Sequence, residues 1–219
     1  MDEPFRRSMT DPLSERLRTE TGREHRLAEA ARLTKAFFSG KLDLRAFLLG
    51  LRHFEPIYLA LERALGSAPP HSLLAPFQLP EVYRRDAIVK DLARFGVRST
   101  GPDSPYAARI EEVATSEPAR ILGHFYVRYF ADLSGVARSA PVAHRLLGVD
   151  RQAPLAFFTF PDIPDRKHFK AVLRRLLDAV PDTHHNAIID EARTSFSLHR
   201  ALVDELFAQL DIAGQARDA

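Results

Sequence analysis

The sequence predicts an all-α fold, and three observations carry that prediction. Almost no segment alternates apolar and polar residues with a period of two, valine plus isoleucine content is modest, and apolar residues recur instead at three- and four-residue steps along most of the chain. With 219 residues and 45% hydrophobic content, the chain suits one sizeable domain with a core that needs no staples. There is no internal repeat and no low-complexity tract, so a single compact helical unit over residues 11–212 is expected, with 1–10 and 213–219 as polar, aperiodic, flexible ends.

The elements follow in order. Asp11 before Pro12 reads as an N-cap and a first helical position, opening a helix that runs past Glu29. Asp43 caps a second helix carrying Leu44, Phe47, Leu48, Leu51, Phe54, Ile57, Leu61 and Leu65 at helical spacing, kinked near Pro56 and stopped by Gly66. Residues 67–80 hold four of the fifteen prolines and read as a loop. Helix resumes at Glu81 and ends at Gly96, a shorter piece covers 105–115, and a long segment from Pro118 to Leu147 contains Gly123, Gly135 and Pro141 and bends near Gly135. A proline- and phenylalanine-rich connection, LAFFTFPDIPD, leads to helical patterns over 165–180 and 182–211.

Composition excludes several classes of chemistry. Cysteine is absent, which removes disulfides, thiolate catalysis, iron–sulfur clusters and cysteine-ligated zinc or haem, and leaves any metal to His, Asp, Glu or Tyr. The net charge of +2 is spread among interspersed acids and bases, so no nucleic-acid arm is indicated. No run of about 18 apolar residues exists, and the N-terminal Asp2, Glu3, Arg6 and Arg7 lack a signal-peptide core; a soluble, cytoplasmic protein without a membrane anchor is expected.

Three constellations stand out. Leu13, Leu17, Thr21, His25 and Ala28 share one helical stripe, which turns His25 the way the leucines point, with Glu29 one turn on. A carboxylate accepting one ring N–H leaves the other nitrogen free to bind iron; the plain alternative is a core histidine satisfied by a neighbour. In ILGHFYVRYFADLSGVARSA, polar His124, Arg128 and Asp132 fall at four-residue steps, Ser134 adds a hydroxyl, and Ala131 and Gly135 form a small-residue stripe that admits a flat partner. That stripe could equally be a helix–helix contact with a solvated Arg–Asp pair outside it. Lys167, Lys170 and Arg174, with Arg175, could clamp a carboxylate ligand or form a solvated face.

Together these segments resemble the haem oxygenase family from Leu13 to about Leu210. LSERLRTETGREHRLAEA resembles the family's proximal helix, ILGHFYVRYFADLSG its distal helix, and LAFFTFPDI a characteristic connecting stretch, in the family's order and spacing. The resemblance implies haem held between two helices as both substrate and cofactor, with His25 as the iron ligand supported by Glu29. It implies Arg18, Tyr126, Lys170 and Arg174 near the propionates, Asp132 anchoring a distal water network with Arg128 and Tyr58 as companions, and Phe196 walling the pocket. The implied reaction consumes haem, dioxygen as co-substrate and electrons, attacks the α-meso carbon, and yields biliverdin, carbon monoxide and ferrous iron. An electron donor such as a ferredoxin or a flavoprotein reductase is implied as partner.

The family's distal motif usually reads Gly-Asp-Leu-Ser-Gly-Gly, whereas Ala131 and Val136 stand here at its first and last positions. These departures motivate an alternative, a non-catalytic haem-binding or haem-sensing protein of the same fold. A helical non-haem di-iron protein expects Glu-x-x-His pairs, and no glutamate here has a histidine three residues later. A purely structural helical scaffold would leave His25, Glu29 and Asp132 silent.

Overall fold

The computed structural model describes residues 11–99, 101–148 and 155–215, with only the backbone for 211–215. Among these residues there are nine α-helices, five 3-10 turns and no strand. The helices are α1 (Leu13–Glu20), α2 (Gly22–Glu29), α3 (Arg32–Phe38), α4 (Leu44–Gly66), α5 (Arg85–Arg94), α6 (Pro105–Ser116), α7 (Ile121–Leu147), α8 (Arg166–Asp178) and α9 (His185–Gln215). No helix among the described residues is long and apolar enough to cross a membrane.

The first expected helix is two. Its cap position is Pro12, with extended backbone and no side-chain bond, rather than Asp11. The exposed N-terminus of α1 is served from elsewhere, because Asp178 at the end of α8 accepts the Ser14 N–H at 2.9 Å. A break falls at Thr21 (φ −107°, ψ 7°), whose hydroxyl donates back to the Leu17 carbonyl at 2.7 Å. The His25 N–H still reaches the Thr21 carbonyl at 3.0 Å, so α2 continues the stripe of α1 almost in register.

Asp43 caps α4 as expected, accepting the Ala46 N–H at 2.8 Å, and α4 ends at Gly66. Pro56 lies inside α4 and has no N–H to give the Arg52 carbonyl. Gly101 packs there: a Cβ on it would come within 2.6 Å of Pro56 Cδ and 2.7 Å of the Arg52 oxygen. The next helix starts at Arg85, not Glu81, and residues 80–82 form a 3-10 turn instead. The reason is tertiary. Glu62 on α4 accepts the backbone N–H groups of Arg84 and Arg85 at 2.6 and 3.0 Å, so the start of α5 is set by a carboxylate more than twenty residues away.

At the C-terminal end, α9 continues through Gln215; residues 1–10 and 216–219 lie outside the described residues. The expected bend at Gly135 does not interrupt α7, which stays helical through Gly135 and Pro141. Gly123 has the tighter role. A Cβ there would lie 2.7 Å from both the Ala192 nitrogen and the Ile188 oxygen, so α7 and α9 meet backbone to backbone at this point. Phe125, Leu122, Tyr129 and Leu133 of α7, Ile57 and Leu61 of α4, and Ile188 and Ala192 of α9 form the buried centre.

Candidate active site

A cavity of about 640 Å³ opens between α2 and α3 on one side and α7 on the other, closed at the back by α4 and α9. That volume is in the range of sites for small organic ligands. Its walls are largely apolar, with Phe37, Phe38, Phe47, Leu51, Phe54, Val127, Phe157, Phe158, Phe196, Val203 and Leu206 among the lining residues. Phe157 and Phe158 are delivered by a 3-10 turn whose start is pinned by Asp91 on α5, which accepts the Ala156 and Phe157 N–H groups at 2.8 Å each. Arg84 holds the other end, donating to the Thr159 carbonyl at 2.6 Å and lying 3.8 Å above the Phe160 ring.

His25 lines this cavity. Its side chain is 54% exposed whereas Leu13, Leu17, Thr21 and Ala28 on the same stripe are buried, so the stripe is continuous but its histidine turns into the cleft rather than the core. Phe196 meets it edge-on at a centroid distance of 5.8 Å, which steadies the ring. Glu29 also lines the cleft, but its carboxylate lies 3.8 Å from His25 Nδ1, too far for the expected hydrogen bond, and its other oxygen stands 3.7 Å from Arg138. Arg138 in turn covers the Phe38 ring at 4.2 Å, so the lip of the cleft is bridged from α7 to α2 and α3.

Across the cleft, α7 presents Ala131, Asp132, Ser134, Gly135 and Val136. A Cβ at Gly135 would meet nothing closer than the Ser139 hydroxyl at 3.6 Å, so this glycine borders open space, unlike Gly123. Behind that stripe Arg128 is buried, and Asp132 keeps only 10% of its side chain exposed rather than being solvated. Tyr58 donates its hydroxyl to Asp132 Oδ2 at 2.6 Å and accepts from Arg128 Nη2 at 2.6 Å, while Arg128 Nη2 stands 4.0 Å from Asp132 Oδ1. Burial pushes the Asp132 carboxyl up, against the pull of Arg128, Tyr58 and Arg84. Burial also pushes Tyr58 well above its ordinary value, so its hydroxyl keeps its proton.

The remaining expected residues lie beside the cavity rather than in its lining. Arg18 is 68% exposed and paired with Glu15. Tyr126 is half-buried, packed on Phe130 at 5.0 Å, and feels the charges of Arg174 and Arg18. Lys170 donates to the cleft residue Ser134 at 3.0 Å, and Arg174 lies 5.9 Å from the Phe130 ring. These four therefore gather at one edge, where Ser134 connects them to the cleft. His124, on the polar stripe of α7, points elsewhere: it pairs at 3.1 Å with fully buried Glu191, which Arg109 also grips with two bonds of 2.9 and 2.7 Å.

Two residues were not singled out from sequence. His199 lines the cleft and takes a hydrogen bond from Arg128, and Arg138 bridges its lip. His199 had a legible signal, since it falls one helical step after Phe196 on the same face of α9. Arg138 had none, as its partners come from other helices.

The family model described as Heme oxygenase matches residues 11–205. The chain belongs to the haem oxygenase family. It is 34% identical to heme oxygenase 1 of Pongo abelii over 94% of this chain and 75% of that protein. The solved heme oxygenase of Leptospira interrogans superposes with a TM-score of 0.84 at 30% identity, covering 89% of this chain and all of that one. Heme oxygenase 2 of Synechocystis sp. PCC 6803, solved with heme and NO, gives a TM-score of 0.86 at 28% identity over 93% of this chain and 88% of that one. Among haem oxygenases the departures at Ala131 and Val136 gain a location, because both line the cleft; membership favours haem degradation over the non-catalytic alternative.

Proposed function

We propose that this haem oxygenase binds haem in the cleft between α2 and α7 and degrades it, with dioxygen and electrons, to biliverdin, carbon monoxide and ferrous iron. One observation carries the reading: a histidine on α2 faces, across a largely apolar cavity, a small-residue stripe of α7 backed by a buried Asp–Tyr–Arg set. The donor set fits haem. Among the described residues no three His, Asp or Glu side chains converge as a metal cage would need, whereas one histidine facing an apolar slot suits a porphyrin that brings its own four nitrogens.

When bound, haem supplies both the iron at which dioxygen is activated and the carbon skeleton that is opened. His25 would hold the haem iron, and Phe196, edge-on to it, would steady its ring. Ala131 and Gly135, lining the cleft on α7, would let a flat group approach that helix closely and would restrict the space on that side. Asp132, with its carboxylate tied to Tyr58, orders water and passes protons through it rather than by touching oxygen directly. Arg128 compensates the buried carboxylate. Lys170, Arg174, Arg18 and Tyr126 serve the propionates from the edge marked by Ser134, and Glu29 supports His25 through water or by a small closing movement. A ferredoxin or flavoprotein reductase supplies the electrons.

Titration with hemin, followed by ascorbate or a ferredoxin system, tests this. The wild-type protein is expected to give a histidine-ligated haem spectrum and then biliverdin absorbance in the red. His25→Ala is expected to lose both while keeping its helical circular dichroism, with added imidazole restoring the spectrum. Wild-type turnover by His25→Ala without imidazole would remove His25 from the iron.

A further inference from the structure

The distal set contains a residue with no role so far. His199 on α9 is partly buried on the wall of the cleft, with its ring stacked on Phe54 of α4 at 5.9 Å and 16°. Its Nδ1 lies 3.3 Å from Arg128 Nη1. A guanidinium has five donors and no acceptor, so the ring nitrogen facing it must accept. His199 is therefore neutral, and its proton sits on Nε2.

We infer that His199 is a positioning residue that keeps Arg128 from closing onto Asp132, and so preserves a carboxylate able to exchange protons with water in the cleft. This rests on the haem oxygenase reading of the Arg128–Tyr58–Asp132 set. Arg128 is held on three sides: Nη1 by His199, Nη2 by the Tyr58 hydroxyl at 2.6 Å, and its face by Phe54 and Tyr58 at 4.9 and 5.0 Å. In that posture it stands 4.0 Å from Asp132 Oδ1, close enough to balance its charge and too far to occupy it. Without the His199 acceptor, Nη1 joins the Arg128 Nε, which already has no partner, as an unsatisfied buried N–H, and the anionic acceptor standing beside it is Asp132. A direct Arg–Asp clamp would hold the carboxylate ionised and occupied.

The environment keeps His199 in the form this requires. Arg128 from α7 is the charged group facing it, and the ring packed on it from α4 is that of Phe54. Burial, and then the Arg128 charge, hold the imidazole down to about 3. Protonation would set two cations 3.3 Å apart in an apolar wall and abolish the acceptor.

Nitrogen-15 and carbon-13 NMR of the haem-free chain, with variants His199→Leu and His199→Asn, tests the inference. In the wild type, His199 is expected to show an unprotonated Nδ1 and a protonated Nε2 from pH 8 down to pH 5. In His199→Leu the Asp132 titration is expected to move down by at least one pH unit, about tenfold in its proton affinity. With hemin, His199→Leu is expected to turn over roughly tenfold more slowly, with haem affinity changed less than about threefold. His199→Asn, whose amide oxygen can accept from Arg128, is expected to recover to within about threefold on both readouts. A His199 ring protonated on Nδ1 or titrating near pH 6.5, or a leucine variant with unchanged Asp132 titration and turnover, would overturn the inference. A wild-type protein that binds no haem would sink the functional reading, while the NMR measurements still decide the role of His199.

Discussion

Asp132, Gly135 and His25 carry the proposed work of the cleft at the scale of single side chains. Asp132 is largely buried, is balanced by Tyr58 and Arg128 and still borders the cavity, which is what the proposed proton relay needs. Asp132→Ala is expected to bind haem with affinity within a few-fold of wild type and to form biliverdin roughly a hundredfold more slowly, as single-turnover absorbance would show. Normal biliverdin yield would take Asp132 out of the mechanism. Gly135 borders open space, so Gly135→Ala is expected to be neutral or slightly stabilising in a urea melt, by up to about 1 kcal/mol from helix propensity, while slowing turnover by crowding the disc. A loss of stability with activity intact would show the reverse role. The placement of His25 was legible because the three-and-four-step stripe it belongs to extends through Leu13, Leu17 and Ala28, all buried. Its spacing from Glu29 was not, since the same carboxylate is shared with Arg138, more than a hundred residues away.

At the scale of elements, long-range carboxylates decide where helices and turns begin. Glu62 receives the first N–H groups of α5, and burial pushes its carboxyl up to about 7. A carboxyl near 4.5 in the unfolded chain and near 7 in the folded one binds more protons when folded, so its ionisation costs stability progressively as pH rises from about 4.5 to 7. Glu62→Gln keeps an acceptor for both N–H groups and removes that cost. It is expected to raise stability by about 2 kcal/mol at pH 8 and to change little at pH 4.5, read from urea midpoints at the two pH values. Equal effects at both would exclude the charge as the cause. These distant caps explain why the sequence placed the start of α5 four residues early: Glu81 carries the local pattern, but the amides that needed satisfying were those of Arg84 and Arg85. The helices whose caps are local, such as α4 with Asp43 and α6 with Ser104, begin where the sequence predicts, to within a residue.

Over the whole molecule, α7 and α9 are locked at one crossing, and the residues of both helices that line the cleft lie C-terminal to it. Gly123 is the lock, with Ile188 and Ala192 backbone atoms where its side chain would be. Gly123→Ala is expected to destabilise the fold by about 3 kcal/mol in urea unfolding, since backbone cannot give way as a flexible side chain can. A change below about 0.5 kcal/mol would mean the two helices can separate freely there. Near the same crossing, burial alone would raise Glu191, but its bonds to His124 and Arg109 outweigh that and hold it down to about 2. Such a carboxylate contributes stability that is present above about pH 4.5 and lost as pH falls toward 2.

The sequence by itself determined the helical class, the order of the helices, the stripe that carries His25 and the polar residues of α7, because periodicity and local caps are short-range properties of the chain. Only the tertiary structure decided that Arg128 is buried and shared between Tyr58 and His199, that Glu29 stands between His25 and Arg138 without a hydrogen bond to either, and that Gly123 rather than Gly135 packs against another helix's backbone. Those outcomes depend on which side chains from separate helices meet in a low-dielectric interior, where each buried donor must find an acceptor, and no spacing along one helix encodes the partner that another helix brings.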